Sequence, residues 1–299
     1  MLSVRSLILT AGVPFGADSN NSIWRTRMNT IRAAQAGQGG EVRVACINKA
    51  TVDLGAPFDA LTVALQKCFD QYFLPVWGYP VKLYNTVAAK PSDWQFIYFD
   101  NADVANALGY HDLTHKGQPV SKVFVKTTLA DNQSVSVTAC HELFEMVIDP
   151  LANLWAEASD GVEYAYEMSD PVEEDTFKVD GIEMSNFVHP SWFEPFKHPP
   201  GAKFDHLGLL KKPFTMTKGG YMIIKKDGKV SQTFGSKAKA ARFAKESRWD
   251  HRSEYRKGSA GLLVAQAEAD RPAAARPKSA RAASRRRNLA DRPHENERP

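Results

Sequence analysis

Between Val135 and Pro150 the chain runs VSVTACHELFEMVIDP. His141 and Glu145 stand four positions apart. At about 3.6 residues per helical turn they project from the same side, so an imidazole and a carboxylate can grip one cation. Glu142 is turned away from His141 by about 100°. It therefore stands beside the cation, where it can take a proton from a metal-activated water. The same residues also suit a solvated helix face, with Glu142 and Glu145 in water and His141 held by a neighbour. Val135, Val137, Leu143, Phe144, Val147 and Ile148 surround the charged positions, which predicts a largely buried helix, and buried carboxylates need partners.

The elements that must position this helix are legible upstream. EVRVACINKA alternates Val42, Val44 and Cys46 with polar residues, a strand pattern. Pro57-Phe58-Asp59 opens a helix with Leu61, Leu65, Cys68, Phe69 and Tyr72 at helical spacing, closing near Pro75 and Gly78. PVKLYNT and DWQFIYFD read as strands. ALGYHDLTH is an irregular edge segment with Gly109, His111 and His115, and SKVFVKTT alternates again through Val123 and Val125. Asp131, Asn132 or Ser134 can cap the next helix, and Pro150 forces its end.

This order, and the succession H-E-x-x-E, Asp149-Pro150, Trp155 and then Glu167-Met168-Ser169-Asp170, resembles zincin metallopeptidases. Their H-E-x-x-H motif is closest in spacing, with Glu145 here in place of the second His. The succession is similar to that of a group of uncharacterised bacterial and phage zincin-like proteins, with an echo in EXORDIUM-like proteins. The resemblance covers about residues 41–195. It implies an α+β fold in which a twisted mixed sheet backs the motif helix. It further implies a peptidase-type, metal-dependent hydrolase with Glu142 as general base and a peptide or protein as substrate. A third ligand then comes from a later segment, Glu167 in preference to Asp170, the other orienting His141. Asp149 is a rival ligand but suits a helix-end role before Pro150. ALGYHDLTH corresponds to the edge strand that lines the cleft, so His111 becomes a candidate substrate or transition-state contact, while His115 suits a solvent-facing loop. One imidazole with carboxylates polarises water less than several histidines would. Zinc is the first expectation for the divalent metal, and oxygen-rich ligation also admits manganese or calcium.

Composition bounds the rest. With 43% hydrophobic and 24% charged residues in 299, the chain is of ordinary globular make-up. Cys46, Cys68 and Cys140 are its three cysteines, without C-x-x-C spacing, which argues against a disulfide framework and for a cytoplasmic location. No apolar run approaches the ~20 residues that cross a bilayer, and Leu7-Ile8-Leu9 is interrupted too early to suggest a leader.

Asp227-Gly228 marks a hairpin in YMIIKKDGKVSQTF, and Ser236 caps a basic helix that follows. Residues 271–299 hold nine Lys/Arg against three Asp/Glu, so the tail is expected to be disordered and to offer non-specific contact to nucleic acid or an anionic surface. The expected organisation is a poorly patterned segment 1–40, a metal-site domain 41–215, a small ββα appendage 216–257, and a disordered basic tail 258–299. The rivals to a hydrolase are a non-catalytic structural or binding protein of the same fold and a nucleic-acid-associated protein acting through the basic end.

Overall fold

The computed structural model describes residues 40–252 apart from 105, 245, 246 and 251. The segment 1–39 and the basic tail lie outside the described residues. Among the described residues the chain is mixed α+β, with three sheets and few helices. The first sheet is built from β1 (Val42–Asn48), β2 (Val81–Asn85), β3 (Trp94–Phe99), β4 (Gly109–Leu113) and β5 (Pro119–Phe124) in the order β2-β1-β3-β5-β4. The first four strands in that order are parallel, and β4 runs antiparallel along the edge of β5.

ALGYHDLTH, irregular by composition, is thus a strand over Gly109–Leu113. Its backbone pairs with β5 from Gly109↔Val123 to Leu113↔Pro119, and cross-strand pairing outweighs the weak local preference of a Gly-His-Asp sequence. SKVFVKTT differs in the other direction. Its strand stops at Phe124, just where its neighbour β3 ends at Phe99, and α2 (Val125–Ala130) begins. Val125 is buried as the alternation predicts, but at the start of a helix.

One face of this sheet is covered by α1 (Phe58–Cys68) and α3 (Val135–Ile148). A π-helical turn over Phe69–Phe73 extends α1 into Leu74–Trp77. Pro75 has no N–H to give and its ring presses on the carbonyl one turn back, and the wider turn immediately before it relieves both. The helix therefore continues past Pro75 and ends at Gly78, whose φ of 75° is the left-handed cap. The helices interlock through Phe144, stacked on Phe73 at 5.2 Å and edge-on to Phe69 at 5.1 Å. Cys68 and Cys140 meet there as free thiols, Sγ to Sγ 3.9 Å.

All fourteen residues of α3 are buried. It is enclosed by the sheet, by α1, by the hairpin β8 (Thr176–Val179) with β9 (Ile182–Ser185), and by the segment carrying Phe187 and Trp192. Ser134 stands at its N-cap, but its hydroxyl pairs with Ser136 at 2.8 Å and makes no cap bond.

The third sheet has the order β11-β10-β7-β6, with β6 (Trp155–Glu157), β7 (Glu163–Ala165), β10 (Tyr221–Lys226) and β11 (Lys229–Phe234). Asp227 and Gly228 turn the hairpin with φ of 49° and 74°, as a two-residue primed turn requires. The hairpin does not stand apart: β10 pairs with β7, and Tyr221 and Ile223 bury with Trp155 and Ala165. Ser236 caps α4 by accepting from Lys239 N at 3.2 Å, and this helix covers only Lys237–Arg242. Among the described residues no helix is long and apolar enough to cross a membrane.

Candidate metal centre

The motif helix brings His141 and Glu145 together as its spacing predicts, Nε2 to Oε2 3.2 Å. The 3₁₀ turn Asp170–Val172, reached from β7 through Tyr166–Ser169, adds Asp170, whose Oδ1 lies 3.1 Å from the same nitrogen. Two donors on one cation with ~2.1 Å bonds stand roughly 3.0–3.5 Å apart at ordinary angles, so these separations suit a shared ion. The backbone N–H of Ser169 donates to Glu145 Oε1 at 3.0 Å and fixes that carboxylate.

Both candidates for the downstream ligand approach the helix, but the one beside His141 is Asp170 and not the expected Glu167, which Arg252 holds toward His111. Asp170 faces His141, and Glu167 faces His111, Oε2 to Nε2 3.8 Å. His111, Glu145 and Glu167 form a second group of possible ligands, while His141, Glu145 and Asp170 form the first, each with donor atoms within 4.8 Å of one another. His111 is 1% exposed and comes from β4, on the face that looks at α3. His115 lies beyond the end of β4 and is exposed.

Glu142 lies against β4. A Cβ added to Gly109 would stand 2.7 Å from Glu142 Cγ and 2.9 Å from Oε1, so glycine there gives the carboxylate its room. Asp149, at the end of α3, is engaged structurally: its oxygens accept from Asn153 N and Leu154 N, each at 3.0 Å.

The residue that local patterning missed is Arg252. Its guanidinium is fully buried, ion-paired with Glu167 Oε1 and with Asp149 Oδ2 at 3.3 Å, and donates to Leu154 O at 2.6 Å. It also lies over the Trp155 ring at 4.7 Å. Arg252 belongs to the run of basic residues expected as a helix after Ser236, and the partners it finds are 85 and 103 positions away. No local signal points to it.

The electrostatics follow from crowding charge in a dry place. Burial opposes a charged His141, yet Glu145, Asp170 and Glu142 outweigh it and hold the imidazole well above its ordinary pKa. Burial pushes Glu145 well above the usual carboxylate range. His141 counters this, while Asp170 and Glu167 add repulsion. Asp170 is raised by burial in the same way. Asp149 is raised to about 6, chiefly by burial and against the pull of Arg252. Carboxylates whose ionisation is opposed by burial and by one another are groups that an added cation stabilises. The donor set of imidazole and carboxylates therefore fits a divalent metal.

Comparison with protein-family models, with curated proteins and with solved structures found no match in any of the three.

Proposed function

We propose that this protein is a metal-dependent hydrolase of the peptidase type with a zincin-like fold. The observation that carries the proposal is the convergence of Glu145 Oε2 and Asp170 Oδ1 on His141 Nε2, at 3.2 and 3.1 Å, where a buried helix meets the turn at Asp170. A divalent ion at this position, zinc first and manganese or calcium after it, supplies Lewis acidity that makes water a nucleophile near neutral pH.

The chain's own residues do the rest. His141, Glu145 and Asp170 hold the ion, and Ser169 N–H orients Glu145. Glu142, adjacent to His141 and turned toward β4, accepts the proton of the attacking water and returns it to the leaving amine. Arg252 fixes Glu167 and Asp149 behind the ligands. The peptide specificity draws support from β4, which among the described residues is the edge strand of its sheet and lies along α3.

The test is hydrolysis of a peptide library by metal-loaded protein. Glu142→Gln keeps shape and metal but removes the base, so the rate should fall by roughly two to four orders of magnitude. An unchanged rate would sink the mechanism. His141→Ala should lose both metal and activity.

A second reading has its own observation. His141 and Glu142 are only 8% and 7% exposed, as suits a non-catalytic protein that holds an ion to stabilise its fold. Metal retention with no hydrolysis by the parent would favour it. Nucleic-acid or anionic-surface contact through residues 258–299 would show as salt-sensitive binding lost on their deletion.

A further inference from the structure

Glu145 belongs to two groups of ligands at once. On one side it meets His141 and Asp170, and on the other His111 and Glu167. We propose that His111, Glu145 and Glu167 hold a second divalent cation, so that the centre is dinuclear with Glu145 as the shared carboxylate. The second ion presupposes the first site, since Glu145 serves both.

Four observations carry the assignment. The His111 Nε2 to Glu167 Oε2 separation of 3.8 Å is beyond hydrogen-bond reach. It lies within the roughly 3.0–4.2 Å spanned by two donors on one ion with ~2.1 Å bonds. Glu167 divides its oxygens: Arg252 binds Oε1, and Oε2 is the oxygen turned to His111. That division lets one carboxylate be both anchored and ligating.

Charge is the third. Glu142, Glu145, Asp149, Glu167 and Asp170 are all buried in one cluster, where Arg252 pairs with Glu167 and Asp149. Carboxylates crowded together in a low-dielectric interior are the groups that a bound cation stabilises.

The fourth is a pair of hydroxyls. Ser121 is directly opposite His111 in the β4–β5 pairing, so both side chains leave the same face of the sheet, toward α3. Ser121 and Ser169 are fully buried, and neither hydroxyl has a hydrogen-bond partner among the described residues. Such hydroxyls suit the waters that complete a cation's coordination shell, because a buried hydroxyl is costly to leave unsatisfied. The donors are imidazole and carboxylate throughout, the class that takes manganese or zinc.

The experiment is metal counting on the full chain after dialysis against excess Mn²⁺ or Zn²⁺, with Mn²⁺ electron paramagnetic resonance as an independent readout. About two ions per chain and an exchange-coupled manganese signal are expected, as for ions sharing a carboxylate. His111→Gln should retain about one ion and lose the coupling. Glu167→Gln should do the same and serves if His111→Gln fails to fold by circular dichroism. A parent that binds one ion, uncoupled, overturns the second site and leaves the first standing. A parent that binds none overturns both.

Discussion

Asp170 and Glu173 are three residues apart on one short turn, and the structure treats them oppositely. Burial pushes both carboxylates toward the neutral form. At Glu173 the charges of Arg248 and Lys239 outweigh burial and hold the group below its ordinary value, with Arg248 Nη1 at 3.1 Å and Lys239 Nζ in direct contact. At Asp170 burial prevails: His141 offsets part of it, and Glu167 and Glu173 add repulsion. One carboxylate has its cations built into the chain, from α4 and the segment after it. The other faces an imidazole and further acids. The difference teaches that burial alone does not mark a functional acid. A buried acid left short of fixed positive charge is a candidate for one.

Removing a built-in cation should have the largest effect. Arg252→Leu leaves Glu167 and Asp149 buried without their guanidinium, and urea denaturation should show a loss of about 3–5 kcal/mol. A loss below about 1 kcal/mol would mean these acids are neutralised some other way and would break the comparison.

Crowding the under-compensated side comes next. In Gly109→Ala the new methyl meets Glu142 and the backbone oxygen of Lys122, 2.8 Å away, so either the strand or Glu142 must shift. The expected cost is about 1–3 kcal/mol, accompanied by reduced hydrolysis.

The two acids themselves should then respond with opposite signs. Glu173→Gln strips a partner from Arg248 and Lys239 and should destabilise the metal-free protein by about 1–3 kcal/mol. Asp170→Asn removes a buried charge that His141 offsets only in part, so the metal-free protein should be no less stable, while calorimetric titration should show cation affinity falling at least ~10-fold. If both variants destabilise the metal-free protein equally, Asp170 is not a site held in reserve for an ion.

The smallest effect is in acid. Glu173 has a folded pKa below its unfolded value of about 4.3, so its contribution is complete above that pH and is lost as pH falls through the folded value. The stability gap between parent and Glu173→Gln should therefore be constant at neutral pH and narrow below about pH 4.5. Thermal midpoints across pH 3–7 measure it, and a gap that widens in acid would reverse the sign assigned here.

What the sequence determined by itself is what periodicity and turn chemistry can carry. The helix over Val135–Ile148, with His141 and Glu145 on one side, follows from four-residue spacing among apolar neighbours. The hairpin at Asp227-Gly228, the strands β1, β2 and β3 and the left-handed stop at Gly78 follow from equally local rules. Glu167 and Asp170 were legible as candidates, but their division between His111 and His141 was not. Which acid faces which imidazole depends on how the loop after β7 turns across α3.

Tertiary structure alone decided the rest. It drew ALGYHDLTH into β4, because a neighbouring strand supplied hydrogen bonds that local preference did not foresee. It ended β5 at Phe124 where its partner ended, and it joined the C-terminal hairpin to β7 through shared apolar burial. It also took Arg252 out of a basic run and buried it among acids about a hundred positions away. Local sequence encodes dihedral preference and face. The energy of a buried charge depends on what else shares its low-dielectric surroundings, and that is settled only when distant segments meet.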